Sequence, residues 1–151
     1  MRAIDKLPTA IKKEIRNTME DMFERYHLSK YTLFQARESS VTASYEERPS
    51  GPTNVISDPT AQAAVHNADE PARRQAFCER IEQAVAQLPA EEREVITERY
   101  MNRDLPFDFT VYTQRLDPPI SVGTYTKIRI RAFVLLALML GIQVEGLQEV
   151  C

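Results

Sequence analysis

Apolar residues recur at Ile11, Ile15, Met19, Met22 and Tyr26, at spacings of four, four, three and four, the period of one helix face. The stretch predicts an amphipathic helix from about residue 10, with Thr9 after Pro8 as its cap. A second helical stretch over residues 29–37 carries Tyr31, Leu33 and Phe34. Were the two continuous over residues 10–38, the rod would be about 43 Å long at about 1.5 Å per residue. Residues 39–59 lose all period and fill with Ser, Thr, Pro, Asn and Gly, which predicts a linker or wrapped loop. Asp58 followed by Pro59 then predicts a short capped helix ending near Asn67. Glu70-Pro71 repeats the start signal, and the helix it opens places Phe77, Ile81, Ala84, Val85 and Leu88 on one apolar face.

The pattern is densest after Leu88. Leu88-Pro89-Ala90-Glu91-Glu92-Arg93 reads as a turn into a helix with acids in its first turn, where they complement the helix dipole, and with Val95, Ile96 and Tyr100 turned inward. Past Pro106, Asp108 is placed to cap a short helix that presents Phe109, Tyr112 and Leu116. Asp117-Pro118-Pro119 ends it, because a residue before proline avoids the α region. Ser121 then caps a longer helix reaching about Leu140, and Gly141 stops it. On that helix Tyr125, Ile128, Ala132, Leu135, Leu136 and Met139 fall on one side at about 100° per residue and are expected in the core. Val134, Ala137 and Leu138 fall on the opposite side and call for a cover, either the N-terminal helix or a second copy of the chain. A dimer is the favoured expectation, since DNA-binding modules gain affinity and site spacing by pairing.

Composition narrows the function classes. With 151 residues, four glycines and a formal net charge of −3, the chain has core enough for one domain or a domain with an appendage. It has almost no material for a Gly-rich phosphate cradle. Two cysteines, Cys78 and Cys151, and two histidines, His27 and His66, make neither a disulfide framework nor recognisable zinc-ligand spacing. Cys78 beside the apolar face of its helix reads as a buried, unreactive thiol, and His27 as a surface or satisfied histidine. Adjacent acids such as Glu46-Glu47 and Glu91-Glu92 do not face each other on a helix and read as solvated faces. No Gly-x-Ser-x-Gly turn occurs. The expectation is no enzyme, no metal and no cofactor. The opening residues carry charge and lack an apolar run, which predicts no secretory signal. The longest apolar run, residues 132–140, is too short for roughly 30 Å of hydrocarbon. A cytoplasmic protein that does not enter membranes is expected.

Local charge points elsewhere than net charge. Residues 115–133 hold four basic groups, Arg115, Lys127, Arg129 and Arg131, against one acid, Asp117. The early turns of the last helix would present Ser121, Gly123, Thr124, Thr126 and Lys127 away from the core, with Ile130 and Arg131 beyond them and Arg129 at the border. Such a helix is ordinarily just solvated. Small residues that allow close approach, with cations that reach guanine edges or phosphates, also suit a major groove, and a short helix, a turn and a Ser-capped longer helix form a helix-turn-helix outline. Double-stranded DNA is the expected partner.

The block from Leu88-Pro-Ala-Glu-Glu-Arg to Arg99-Tyr100, followed by Ile120-Ser121-Val122-Gly123-Thr124-Tyr125 and Arg131-Ala132, resembles the promoter-reading C-terminal module of bacterial sigma factors over about 50 residues. Taken with the N-terminal helix bearing Tyr26, Lys30 and Tyr31, and with Ser57-Asp58-Pro59-Thr60-Ala61, the order of elements resembles the ArpU and RinA families of phage late-gene transcription regulators. The resemblance implies an all-α protein in a bacterial host cytoplasm. It would comprise an N-terminal helical packing or oligomerisation segment (1–40), a linker with a short helix (41–69) and a sigma-like helix-turn-helix domain (70–151). It further implies a regulator without enzymatic activity and allows a contact with host RNA polymerase. Two departures stand out. The turn 116–121 is longer than the sigma-type turn, and Thr126 and Ile128 stand where sigma factors often have cations. A small terminase subunit and a helical adaptor that binds only protein are the alternative readings.

Overall fold

The computed structural model describes residues 2–42 and 58–147 of the chain, with side chains from residues 3–34 and 69–147. Among the described residues the regular elements are all helices, with no strand. They form α1 (Arg2–Asp5), α2 (Thr9–Thr42), α3 (Asp58–Ala86), α4 (Ala90–Ile96), α5 (Asp108–Thr110) and α6 (Val122–Leu140). Helices α4 and α5 each run on as a π-helical turn, Thr97–Met101 and Val111–Arg115 respectively. The fold is all-α.

The two expected N-terminal stretches are one helix of 34 residues. It begins a residue earlier than expected, with the carbonyl of Pro8 accepting from Lys12 N, so Thr9 lies inside it. The short helix expected to end near Asn67 is likewise continuous with the next, because α3 passes straight through Pro71. Proline inside a helix removes a single N–H, so the ladder on either side can carry it. Of the linker expected over residues 39–59, residues 39–42 continue α2 and residues 58–59 open α3, while residues 43–57 lie outside the described residues.

The chain divides into two compact units, Met1–Arg25 with Arg80–Cys151, and Tyr26–Glu79. The division falls differently from the expected boundaries at 40 and 69. The first part of α2 belongs with the C-terminal helices. In the smaller unit Cys78 is buried, as expected, with its Sγ 3.9 Å from the carbonyl of Tyr26. Leu28, Tyr31 and Phe34 of α2 are more than half exposed.

In the larger unit Ile15, Met19, Met22 and Phe23 of α2 are buried together with Ile81, Val85 and Leu88. Phe23 stacks on Tyr100 at 5.0 Å between ring centroids, and both rings meet Phe133 of α6, at 6.4 and 5.4 Å. A neighbouring cluster of Val95, Val111, Leu116, Tyr125 and Ile128, with Tyr112 and Ile120 against it, holds α4, α5 and α6 together. Helix α6 packs against α4 and α1. Residues 132–134, 136 and 137 of it are buried. Val134 and Ala137, expected to need a cover from the N-terminal helix or a second copy, are fully buried within the chain, whereas Leu138 and Met139 are partly open. The dimer expectation loses that support, and Met139 is not in the core.

Gly141 ends α6 in the left-handed region at φ 67°, with Ile142 N donating to Ala137 O and Gly141 N to Leu138 O. That is a Schellman stop. A Cβ at residue 141 would meet nothing within 4 Å, so Gly141→Ala isolates the backbone term. It is expected to cost about 1 kcal/mol, read as a lower urea midpoint with an unchanged denaturant slope.

Candidate nucleic-acid interface

Two caps frame α6, and its N-terminal one is as expected. Ser121 Oγ accepts from Thr124 N at 3.2 Å and donates to Thr124 Oγ1 at 3.0 Å, which occupies one of the orphan donors of the first turn. Ser121, Val122, Gly123, Thr124, Thr126 and Lys127 are all exposed, while Tyr125 and Ile128 between them are buried. A Cβ on Gly123 would have open space around it. Thr126 Oγ1 donates to Val122 O at 2.8 Å, which leaves its oxygen as an outward acceptor. The early turns therefore show solvent a strip of small polar groups with one ammonium.

The expected cationic stripe is mostly neutralised by acids from elsewhere in the chain. Arg129 is not at the border of the surface. It is 6% exposed, with Nη1 3.0 Å from Asp108 Oδ2 and its guanidinium 5.3 Å over the Tyr125 ring. A DNA contact from Arg129 is ruled out as the chain stands, because exposing it would strip a buried pair. Arg131 donates through Nε to Asp5 Oδ1 at 3.0 Å and through Nη2 to Asp5 Oδ2 at 2.6 Å, a two-pronged clasp between α1 and α6. Arg115 pairs with Asp104 and lies 3.9 Å from Glu98. Lys127 has no ion-pair partner among the described residues. Of the residues expected at the interface, Ser121, Gly123, Thr124, Thr126 and Lys127 share one open face, and the three arginines are engaged by the protein itself.

Asp108 is the group the linear pattern misassigned. Phe107 occupies the cap position of α5, and Asp108 turns inward as the first helical residue. Its Oδ1 accepts from Arg99 Nε and from Tyr125 OH, each at 2.7 Å, while Oδ2 accepts from Arg129. Burial alone would raise its carboxyl, but the hydrogen bonds from Tyr125 and Arg99 and the charge of Arg129 outweigh that and hold it below the ordinary range. Burial, reinforced by the bond to Asp108, pushes the Tyr125 hydroxyl up, so it stays a donor. Tyr100, whose OH donates to Glu20 Oε1 at 3.3 Å, is pushed up to about 12, chiefly by burial. This network locks the first two turns of α6 to α5 and to the turn after α4. Asp5 was missed as well. No local pattern links residues 5 and 131, which lie 126 apart.

Glu92, expected on a solvated face, is 5% exposed. The turn preceding α6 is built by Leu116–Ser121, with a cis bond between Asp117 and Pro118 and Ile120 N donating to Tyr112 O at 3.1 Å. Beside it Phe107 is 82% and Phe109 63% exposed. Among the described residues no cluster of three or more His, Cys, Asp or Glu side chains could hold a metal, and no helix is long and apolar enough to cross a membrane.

Comparison with protein-family models, curated proteins and solved structures gives no match to this chain.

Proposed function

We propose that the protein is a sequence-specific DNA-binding transcription regulator that places the first turns of α6 in the major groove. It would be a binding protein with no enzymatic step, of the phage late-gene kind that the order of its elements resembles. The observation that carries this reading is the contrast along α6. Its middle turns, with Ala132, Phe133, Val134, Leu136 and Ala137, are buried in the core, whereas its capped N-terminal turns stand open with Gly123, Thr124, Thr126 and Lys127 on one face. A recognition helix needs its N-terminal residues free to meet base edges and the rest held rigid, and the Asp108 network supplies the rigidity.

The electrostatics set the character of binding. With Arg115, Arg129 and Arg131 paired internally, few phosphates are neutralised, so the dependence of affinity on salt is shallow compared with a protein that meets six to ten phosphates. Specificity then rests on the hydroxyls of the early turns at base edges, with Lys127 beside them as an ionic contact. The test is retention of pooled genomic fragments at low salt, followed by measurement on the enriched sequence. Retention with a shared motif is expected. Lys127→Ala is expected to weaken binding about uniformly across sequences, as loss of a phosphate contact does, and to leave the preferred motif unchanged. Failure to retain any duplex at low salt refutes the reading.

A second reading has its own observation. The exposed Phe107 and Phe109 suit a protein partner, as in a helical adaptor that never touches DNA. Absence of duplex retention together with capture of one partner that is lost in Phe107→Ser selects it.

A further inference from the structure

The N-terminus brings a cation to the recognition helix that no reading of residues 70–151 alone would include. Helix α1 packs against α6, and the turn between α1 and α2 folds Lys12 back so that its Nζ donates to the carbonyl of Asp5 at 2.9 Å. The carboxylate of the same Asp5 is the one clasped by Arg131. Lys127 stands one helical turn before Arg131, on the same side of α6. Lys12 and Lys127 therefore both act on Asp5, although 115 positions separate them in the chain.

The charges around this point divide cleanly. Arg131 is engaged by Asp5 and lies in the field of Glu91 and Glu92 of α4, so its charge is spent inside the protein. Asp5 in turn feels Arg131 first, with Lys127 and Lys12 adding to the same effect. Asp5 and Arg131 cancel, Glu91 and Glu92 act on the Arg131 side of the pair, and Lys12 and Lys127 act on the Asp5 side. An ammonium has three donors. Lys12 uses one of them on the Asp5 carbonyl, and Lys127 is exposed.

We propose that Lys12 and Lys127 together grip the phosphodiester backbone beside the groove, with Asp5 acting as a positioning residue that fixes the α1–α2 turn to α6 and keeps Arg131 out of the contact. The inference rests on the reading of α6 as the groove helix and adds a contact from the other end of the chain. It also means that a chain lacking residues 1–12 loses an ionic contact and not only a packing element.

The experiment is the slope of log affinity against log salt for the full-length protein on a random-sequence duplex of about 30 base pairs, comparing the unaltered chain with Lys12→Gln and Lys127→Gln. Each variant is expected to lose about 0.9 from the slope, the amount for one phosphate on duplex DNA, and the double variant about twice that. Urea unfolding of each variant accompanies the titration, since a purely structural Lys12 would shift the midpoint and leave the slope alone. An unchanged slope in Lys12→Gln with a reduced one in Lys127→Gln overturns this inference and leaves the groove assignment standing. Unchanged slopes in both, or no binding to the duplex at low salt, overturn the two together.

Discussion

Phe133→Ala is expected to lower the unfolding free energy by about 4 kcal/mol. Phe133 is fully buried, and its ring meets those of Phe23 and Tyr100. Truncation removes the transfer free energy of the ring and also leaves a cavity lined by two other aromatics, which cannot collapse without moving α2 or the turn after α4. Phe133→Leu retains much of the volume and is expected to cost less than half as much. Urea denaturation followed by circular dichroism checks both values. A loss below about 1 kcal/mol for the alanine variant would mean that this aromatic junction does not hold α6 in place.

Asp108→Ala is expected to cost about 3 kcal/mol. The penalty comes from what remains, because Arg129 stays buried without its partner, and the hydroxyl of Tyr125 and the Arg99 guanidinium lose the same acceptor. The figure lies at the lower end for a broken buried pair because the Asp108 side chain is 37% exposed, so water can screen part of the loss. Asp108→Asn keeps an acceptor oxygen and is expected to cost less. The carboxyl is held below its ordinary value in the folded protein, so its contribution is complete above the unfolded value of about 3.9 and fades as pH falls through the folded value. The stability gap between the unaltered protein and Asp108→Asn is therefore constant above about pH 5 and closes in stronger acid. A gap independent of pH down to about 2 would contradict the charged network.

These residues mark where linear reading works in this chain. The 3.6-residue period placed Ile15, Met19, Ile81, Val85, Val95, Ile96 and Tyr125 in the core correctly, and the cap chemistry of Ser121 and Gly141 set both ends of α6. Amphipathic periodicity fails where a helix is buried all round. Phe133 and Val134 lie off the apolar stripe of α6, yet both are wholly enclosed, because one helix cannot report how many neighbours surround it.

The open face of α6 was legible for a related reason, since its small polar residues sit opposite Tyr125 and Ile128. The charge of that face was not. A count of four cations to one acid over residues 115–133 omits Asp5, Asp104 and Asp108, and these three, from outside the window, engage three of the four cations. Charge counted along a segment describes a surface only when the partners are local. Here they come from α1, from the loop before α5 and from α5 itself.

The proposed contact between the N-terminal face of α6 and duplex DNA is checked by amide chemical-shift mapping of the labelled protein during titration with an enriched duplex. Shifts are expected to concentrate at residues 121–131, with smaller ones around Lys12, and to spare residues 26–34. A duplex that binds while the amides of 121–131 stay in place, with the shifts gathered elsewhere, would contradict it.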